Sequence, residues 1–306
     1  MKNIILSYNM PDMDGVACMY AYSELLNKQE QKTGYFINGE PKKEVKIVCE
    51  MFNIKLESEK SISDEDKIIL VDTNQPFELN QKIKLNNVIE IIDHHKKSEE
   101  LDKMPNAKIQ IEEVGAAATL VAEKYKLFNY EISRNAAILL YYGIISNTVN
   151  LNSKITTERD RKMVEWLEKS CTDISEEKIK EIFEKKSIFE NSLREEMEVE
   201  YKDPFLKISW SMGQLEVANV DGFLEKEEKK IRKILDEVQS EKNVEYLSIN
   251  CVDILNGYSI IIAQNKKTEE LISDLLNINF SNGKAKANQF LTRKEIVKIV
   301  REKYGK

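Results

Sequence analysis

Apolar positions in the first half of the chain switch repeatedly between two periods. Residues 3–7 form a short, almost continuous apolar run. Residues 15–26 then space Val16, Met19, Tyr20, Leu25 and Leu26 along one helical face. The alternation continues with a predicted strand at 35–37, ending at Asn38-Gly39. A helix follows, opened by Pro41 and carrying Val45, Val48, Cys49 and Phe52. Further strands are predicted at 67–71, 88–92 and 108–111. Helices are predicted at 115–125 and 134–145, and another starts at Thr156-Thr157-Glu158, where a threonine can cap it. Runs such as Ile68-Ile69-Leu70-Val71 are apolar on both faces, as in a parallel sheet covered by helices. The fold class is therefore α/β, with a doubly wound, mostly parallel N-terminal sheet.

From about residue 173 to 200 the pattern becomes charged and helical, with little material for a core. This places a domain boundary at 188/189, dividing a domain of residues 1–188 from a smaller α/β domain of 189–306. The second domain is predicted to hold a strand at 205–210, a helix at 225–238 and strands at 246–254 and 258–263. Asn256-Gly257 marks a hairpin between the last two. A helix at 268–276 and a tail at 290–304 follow, and the tail carries Arg293 and Lys294.

Composition narrows the partners. The 306 residues carry a net charge of −7, with 42% hydrophobic and 32% charged side chains. Such a chain is a poor non-specific binder of nucleic acid or membrane surfaces. No apolar run approaches the ~20 residues of a membrane span. Four cysteines lie far apart without a Cys-x-x-Cys pair, and read as reduced thiols in a cytoplasmic protein.

The chemistry gathers at predicted strand ends. The first strand runs into Asp12-Met13-Asp14-Gly15, the third ends at Asp72, and the fourth ends at Asp93-His94-His95, which contains the only two histidines. In an open parallel sheet, ligands bind beyond the carboxyl ends of the strands. Taken singly, Asp12 and Asp14 read as helix caps and Asp72 as a turn residue. Together they put four carboxylates and two imidazoles at one crevice, where uncompensated like charge is costly. One or two divalent cations resolve this, and oxygen ligands with an imidazole suit manganese, magnesium or iron. Asp12 and Asp14, two apart on a turn, can reach two adjacent ions that clamp a phosphate and activate water.

Asp-x-Asp-Gly, the strand-end Asp72 and Asp93-His94-His95 resemble the DHH phosphoesterases. The flanking segments narrow the resemblance to the manganese-dependent (family II) inorganic pyrophosphatases with their DHHA2 second domain. These segments are 38–44, Val114-Gly115-Ala116-Ala117-Ala118-Thr119, 143–148, 156–160, Gly213-Gln214-Leu215-Glu216 and Thr292-Arg293-Lys294. The resemblance implies an active site in the cleft between two domains and hydrolysis of pyrophosphate or short polyphosphate. It also implies manganese (magnesium or cobalt as substitutes) and a homodimer. Asp12 resembles a ligand of one metal, Asp14 and His94 ligands of another, and Asp72 a bridge between them. His95 resembles the substrate-contacting, proton-handling histidine. Arg293 and Lys294 resemble phosphate-holding cations, although ordinary helix-surface charge explains them equally well. Asp93 is cast as the residue that orients its neighbours.

Three positions depart from the family pattern. Tyr8 replaces a histidine, Asn147 replaces the second bridging aspartate, and Thr73 replaces the histidine of an Asp-His-Asn motif. Lys202 is a doubtful match to a phosphate-gripping lysine. The resemblance with these departures therefore implies at most one firmly held ion, with Asn147 a weak ligand, and low or lost turnover. The alternative is a non-catalytic, phosphate-binding regulatory descendant. A nucleotide phosphodiesterase is disfavoured, because the second domain lacks a Gly-Gly-Gly-His-type element and an aromatic-basic surface signature.

Overall fold

Short, buried, β-rich segments build the first sheet. β1 (Asn3–Leu6), β2 (Thr33–Tyr35), β3 (Lys67–Val71), β4 (Val88–Asp93) and β5 (Lys108–Ile111) pair in the order β2-β1-β3-β4-β5, and every pair is parallel. In this order the strand sequence reverses between β1 and β3, the crevice where open α/β sheets place their ligands. The computed structural model describes residues 2–79, 83–198 and 207–305, and also leaves the side chain of Lys294 undescribed. The chain divides into two units, Met1–Ile182 and Phe183–Lys306. The division falls within α6 (Glu176–Lys186), slightly before the expected 188/189 boundary.

The helices of the first unit are α1 (Met13–Lys28), α2 (Lys43–Phe52), α3 (Ala117–Phe128), α4 (Arg134–Asn147) and α5 (Glu158–Ser170), besides the start of α6. α1 packs against α3 and α4, and Phe52 of α2 meets Tyr142 of α4. Ile4, Leu6, Ile68 and Leu70, which alternation places on one face, cluster with Leu79, Leu101, Met104 and other residues of loops and 3-10 turns. Among the described residues the connections from β3 to β4 and β4 to β5 hold only such turns, and no residue of that cluster lies on an α-helix. Pro41 falls before α2 rather than in its first turn; Lys42 is the N-cap, and its N–H donates to the Pro11 carbonyl (2.9 Å).

In the second unit, β6 (Trp210–Val217) pairs parallel with β7 (Tyr246–Asp253), and β8 (Tyr258–Ala263) and β9 (Lys284–Ala287) add antiparallel. α7 (Leu193–Met197) and α8 (Val220–Lys242) supply one core, with Met197, Ile231 and Leu235 against Leu215 and Ile249. α9 (Lys266–Leu276) and α10 (Arg293–Tyr304) supply the other, with Ile272 and Ile296 against Met212 and Ile261. Of the strand expected at 205–210, residues 205–206 lie outside the described residues, as does Lys202, and of 207–210 only Trp210 is in a strand. The observed strand starts at Trp210 and takes in Gly213 and Gln214. All four cysteines are free thiols. Among the described residues no helix is long and apolar enough to cross a membrane.

Candidate metal centre

Helix starts and strand ends place the chemistry of the first unit. Asp12 is the N-cap of α1, and its Oδ1 accepts from the Asp14 and Gly15 N–H groups (3.0 and 3.2 Å). The Asp12 N–H donates to the Tyr8 hydroxyl (3.2 Å). Burial first, then the charges of Asp12 and Asp72, push the Tyr8 phenol well above its usual range, so it stays neutral. Glu44 of α2 accepts from Met13 N–H (3.2 Å) and the Ser146 hydroxyl (2.5 Å), which ties the start of α1 to the end of α4.

Asp14 caps a different helix. Ala116, the N-cap of α3, offers no side-chain bond. The Asp14 carboxylate accepts from Ala117 N–H (Oδ2, 2.8 Å) and Ala118 N–H (Oδ1, 2.7 Å), two of the orphan donors at that helix start. The Cys18 thiol (3.6 Å to Oδ1) and the Asn147 amide nitrogen (3.3 Å to Oδ2) complete the set. Burial pushes the Asp14 carboxyl up to about 6, while His94 and the two α3 amides pull it down.

Asp72 has no such support. It follows β3 in a left-handed turn (φ 57°), a conformation uncommon for a residue with a side chain. It is 2% exposed, and its Oδ1 accepts no hydrogen bond among the described residues. Burial, then the charges of Asp14 and Asp12, drive its carboxyl well above the ordinary range. His94 Nε2 lies 3.4 Å from that oxygen and His95 Nδ1 3.7 Å from it.

The two imidazoles are held differently. His94 Nδ1 lies 3.1 Å from the Val114 carbonyl, which can only accept. In the neutral imidazole that places the proton on Nδ1 and leaves Nε2 with a lone pair, the arrangement of a metal-ligating histidine. His95 Nδ1 meets Asp93 Oδ1 at 2.9 Å, and this bond raises the His95 pKa. Asp93 is fully buried. Its Oδ1 also accepts from the His94 and His95 N–H groups (2.7 and 3.1 Å), and its Oδ2 accepts from Asn74. Burial pushes Asp93 up, but the bonds from His95 and Asn74 outweigh it and hold the carboxyl low.

The loop at 114–115 is also fixed. Asp160 accepts from Gly115 N–H (3.0 and 2.9 Å) and the Thr119 hydroxyl (2.5 Å). A Cβ at Gly115 would lie 2.5 Å from Thr148 Cγ2, so only glycine fits there. The loop presents the Val114 carbonyl to His94 and the Gly115 carbonyl to Asn147 (3.0 Å).

The first unit thus gathers Asp14, Asp72, His94, His95 and Asn147. Asp72, Asp93, His94 and His95 can offer ligand atoms all within 4.8 Å of one another. The residues fit a hard divalent cation. Asp72 Oδ1 is a buried carboxyl oxygen without a hydrogen bond among the described residues, and its 3.4 Å spacing from His94 Nε2 is close to the ~3 Å edge of an octahedral shell. Arg293 and Lys294 start α10 in the second unit. The Arg293 guanidinium donates to Glu198 (2.9 Å), and the Arg293 backbone N–H donates to Gln214 Oε1 (2.5 Å). The supporting roles of Glu44 and Asp160 were absent from the sequence reading, since both act through backbone groups distant along the chain.

Comparison with known proteins agrees with this architecture. The profile of the DHH family, N-terminal domain, matches residues 2–144. A manganese-dependent inorganic pyrophosphatase of Methanothrix thermoacetophila is 28% identical over 261 residues, 84% of this chain and 83% of that protein. A probable manganese-dependent inorganic pyrophosphatase of Clostridium acetobutylicum is 28% identical over 299 residues, 96% and 94% of the two chains. The crystal structure of a putative family II inorganic pyrophosphatase from Methanococcus jannaschii superposes with a TM-score of 0.60 at 22% identity, over 99% of each chain. That last likeness is one of fold.

Proposed function

For this chain, whose residues 2–144 match the profile of the DHH family, N-terminal domain, we propose a metal-dependent phosphohydrolase that cleaves a phosphoanhydride. Inorganic pyrophosphate or short polyphosphate is the proposed substrate, in keeping with the names of the relatives. The observation that carries the reading is the buried, unpaired Asp72 Oδ1 facing the bare Nε2 of His94. Asp72 and His94 would hold the ion, with Asp12 as a further carboxylate on that edge and manganese as the expected metal. When bound, a divalent cation neutralises phosphate oxygens and makes water acidic enough to attack.

The chain's own groups supply the rest. Asp93 holds the proton on His95 Nδ1 and keeps that imidazole charged to higher pH than a free histidine. His95 is half exposed, so it can give a proton to a departing phosphate oxygen. Arg293 and Lys294 are the cations proposed for the remaining phosphate charge. Turnover is expected to be low, because Tyr8 and Asn147 stand where the resemblance calls for a histidine and an aspartate.

A second reading, a phosphate-ligand-binding regulator without turnover, is favoured by the full set of donors already on Asp14. Phosphate release from pyrophosphate with manganese separates the two. The first reading predicts slow, manganese-dependent release that Asp72→Ala abolishes. Pyrophosphate binding with no release at any manganese concentration would support the second.

A further inference from the structure

The four donors on Asp14 are the number a carboxylate can accept. Asp14 takes Ala117 N–H and the Asn147 amide on Oδ2, and Ala118 N–H and the Cys18 thiol on Oδ1. No lone pair is left for a cation. Asp72 Oδ1, in the same crevice, has none of this.

The Asn147 amide nitrogen is the member that closes the set. It lies 3.3 Å from Asp14 Oδ2, 3.0 Å from the Gly115 carbonyl and 3.2 Å from His94 Nε2. All three are acceptors, so their combined demand settles the direction of the amide. Turning it over would put its oxygen 3 Å from the Gly115 carbonyl oxygen, and that loop is held by Asp160 and cannot retreat. The amide has only two N–H groups for three acceptors. Asp14 Oδ2 and the Gly115 carbonyl can keep both, which leaves the His94 Nε2 lone pair as the one a cation can take.

We propose that the Asn147 side-chain amide stands in for a cation at the Asp14 corner, so that the centre holds a single divalent ion, on Asp72 and His94. Asn147 is then a positioning residue and not a ligand. It satisfies Asp14 by one hydrogen bond and ties it to the Gly115 carbonyl by the other, leaving His94 Nε2 free. The inference rests on the metal-dependent reading above and specifies how many ions that reading involves and where.

The test is manganese stoichiometry with the electron paramagnetic resonance spectrum, on the full chain and on Asn147→Asp. The substitution would set a carboxylate against Asp14 Oδ2 and the Gly115 carbonyl, an arrangement that needs a cation. The wild type is expected to bind one manganese per chain and give the six-line spectrum of an isolated ion. N147D is expected to bind two and give a broadened, exchange-coupled spectrum. Two coupled ions in the wild type, or one ion in a folded N147D, would overturn the inference and leave the metal-hydrolase reading intact. No manganese binding by the wild type at millimolar concentration would remove that reading as well. Should N147D not fold, the wild-type count decides alone.

Discussion

Asp14 and Asp72 are both buried carboxylates at the carboxyl edge of one parallel sheet, yet their surroundings are opposite. Asp14 is closed in by two backbone amides, a thiol and a side-chain amide. Asp72 leaves one oxygen with no hydrogen-bond donor. Burial raises both pKa values, but His94 and then the two α3 amides pull Asp14 back, to about 6, whereas Asp72 goes well above its usual range. One aspartate therefore contributes to the fold, and the other is a charge the fold leaves unsatisfied. Unsatisfied buried charge is costly and is a mark of a functional site.

Two isosteric substitutions sharpen that contrast most strongly. Asp72→Asn removes the charge that needs a partner. It should lower manganese affinity by more than about a hundredfold while raising the stability of the metal-free protein by roughly 1 kcal/mol. Calorimetric titration and chemical denaturation read the two effects. Asp14→Asn should do the reverse, because its NH2 would face a backbone N–H of α3. A loss of about 2–3 kcal/mol in denaturation, with one manganese still bound, is expected. If both variants lose metal and stability together, the two aspartates are not divided in this way.

Asp93→Ala touches neither carboxylate. It frees His95 and the backbone at 94–95, and should weaken manganese binding by roughly tenfold to a hundredfold through misalignment of His94. It should also return the His95 pKa toward that of a free histidine, visible by proton NMR titration.

Acidity gives the smallest and most gradual effect. The folded pKa of Asp72 lies above its unfolded value of about 3.9. The folded protein therefore holds the proton more tightly than the unfolded one. The stability Asp72 contributes is full below about pH 3.9 and is lost as pH rises through the raised pKa. Without metal, denaturation should show stability falling across that window. Manganese must displace the same proton, so its affinity should rise by up to about tenfold per pH unit there. Asp72→Asn should remove both trends.

Much of this was legible in the sequence because it is local. The strand ends that carry Asp12, Asp14, Asp72 and Asp93-His94-His95 follow from apolar runs meeting acids, and the sheet order puts them at the β1/β3 crevice. β9 was missed because its Lys-Ala-Lys-Ala pattern offers only alanine to the core. β6 was set too early because Gly213 and Gln214 break its apolar run. The division of labour between Asp14 and Asp72 could not be read from residue types. It depends on Ala117, Ala118 and Asn147, which meet Asp14 only after α3 and α4 have packed against α1.

Anomalous X-ray scattering at the manganese edge, from crystals grown with the metal, bears most directly on where the ion sits. One peak per chain is predicted, roughly 2.2 Å from both Asp72 Oδ1 and His94 Nε2. A peak bridging Asp14 and Asn147, alone or as one of two, would contradict the account.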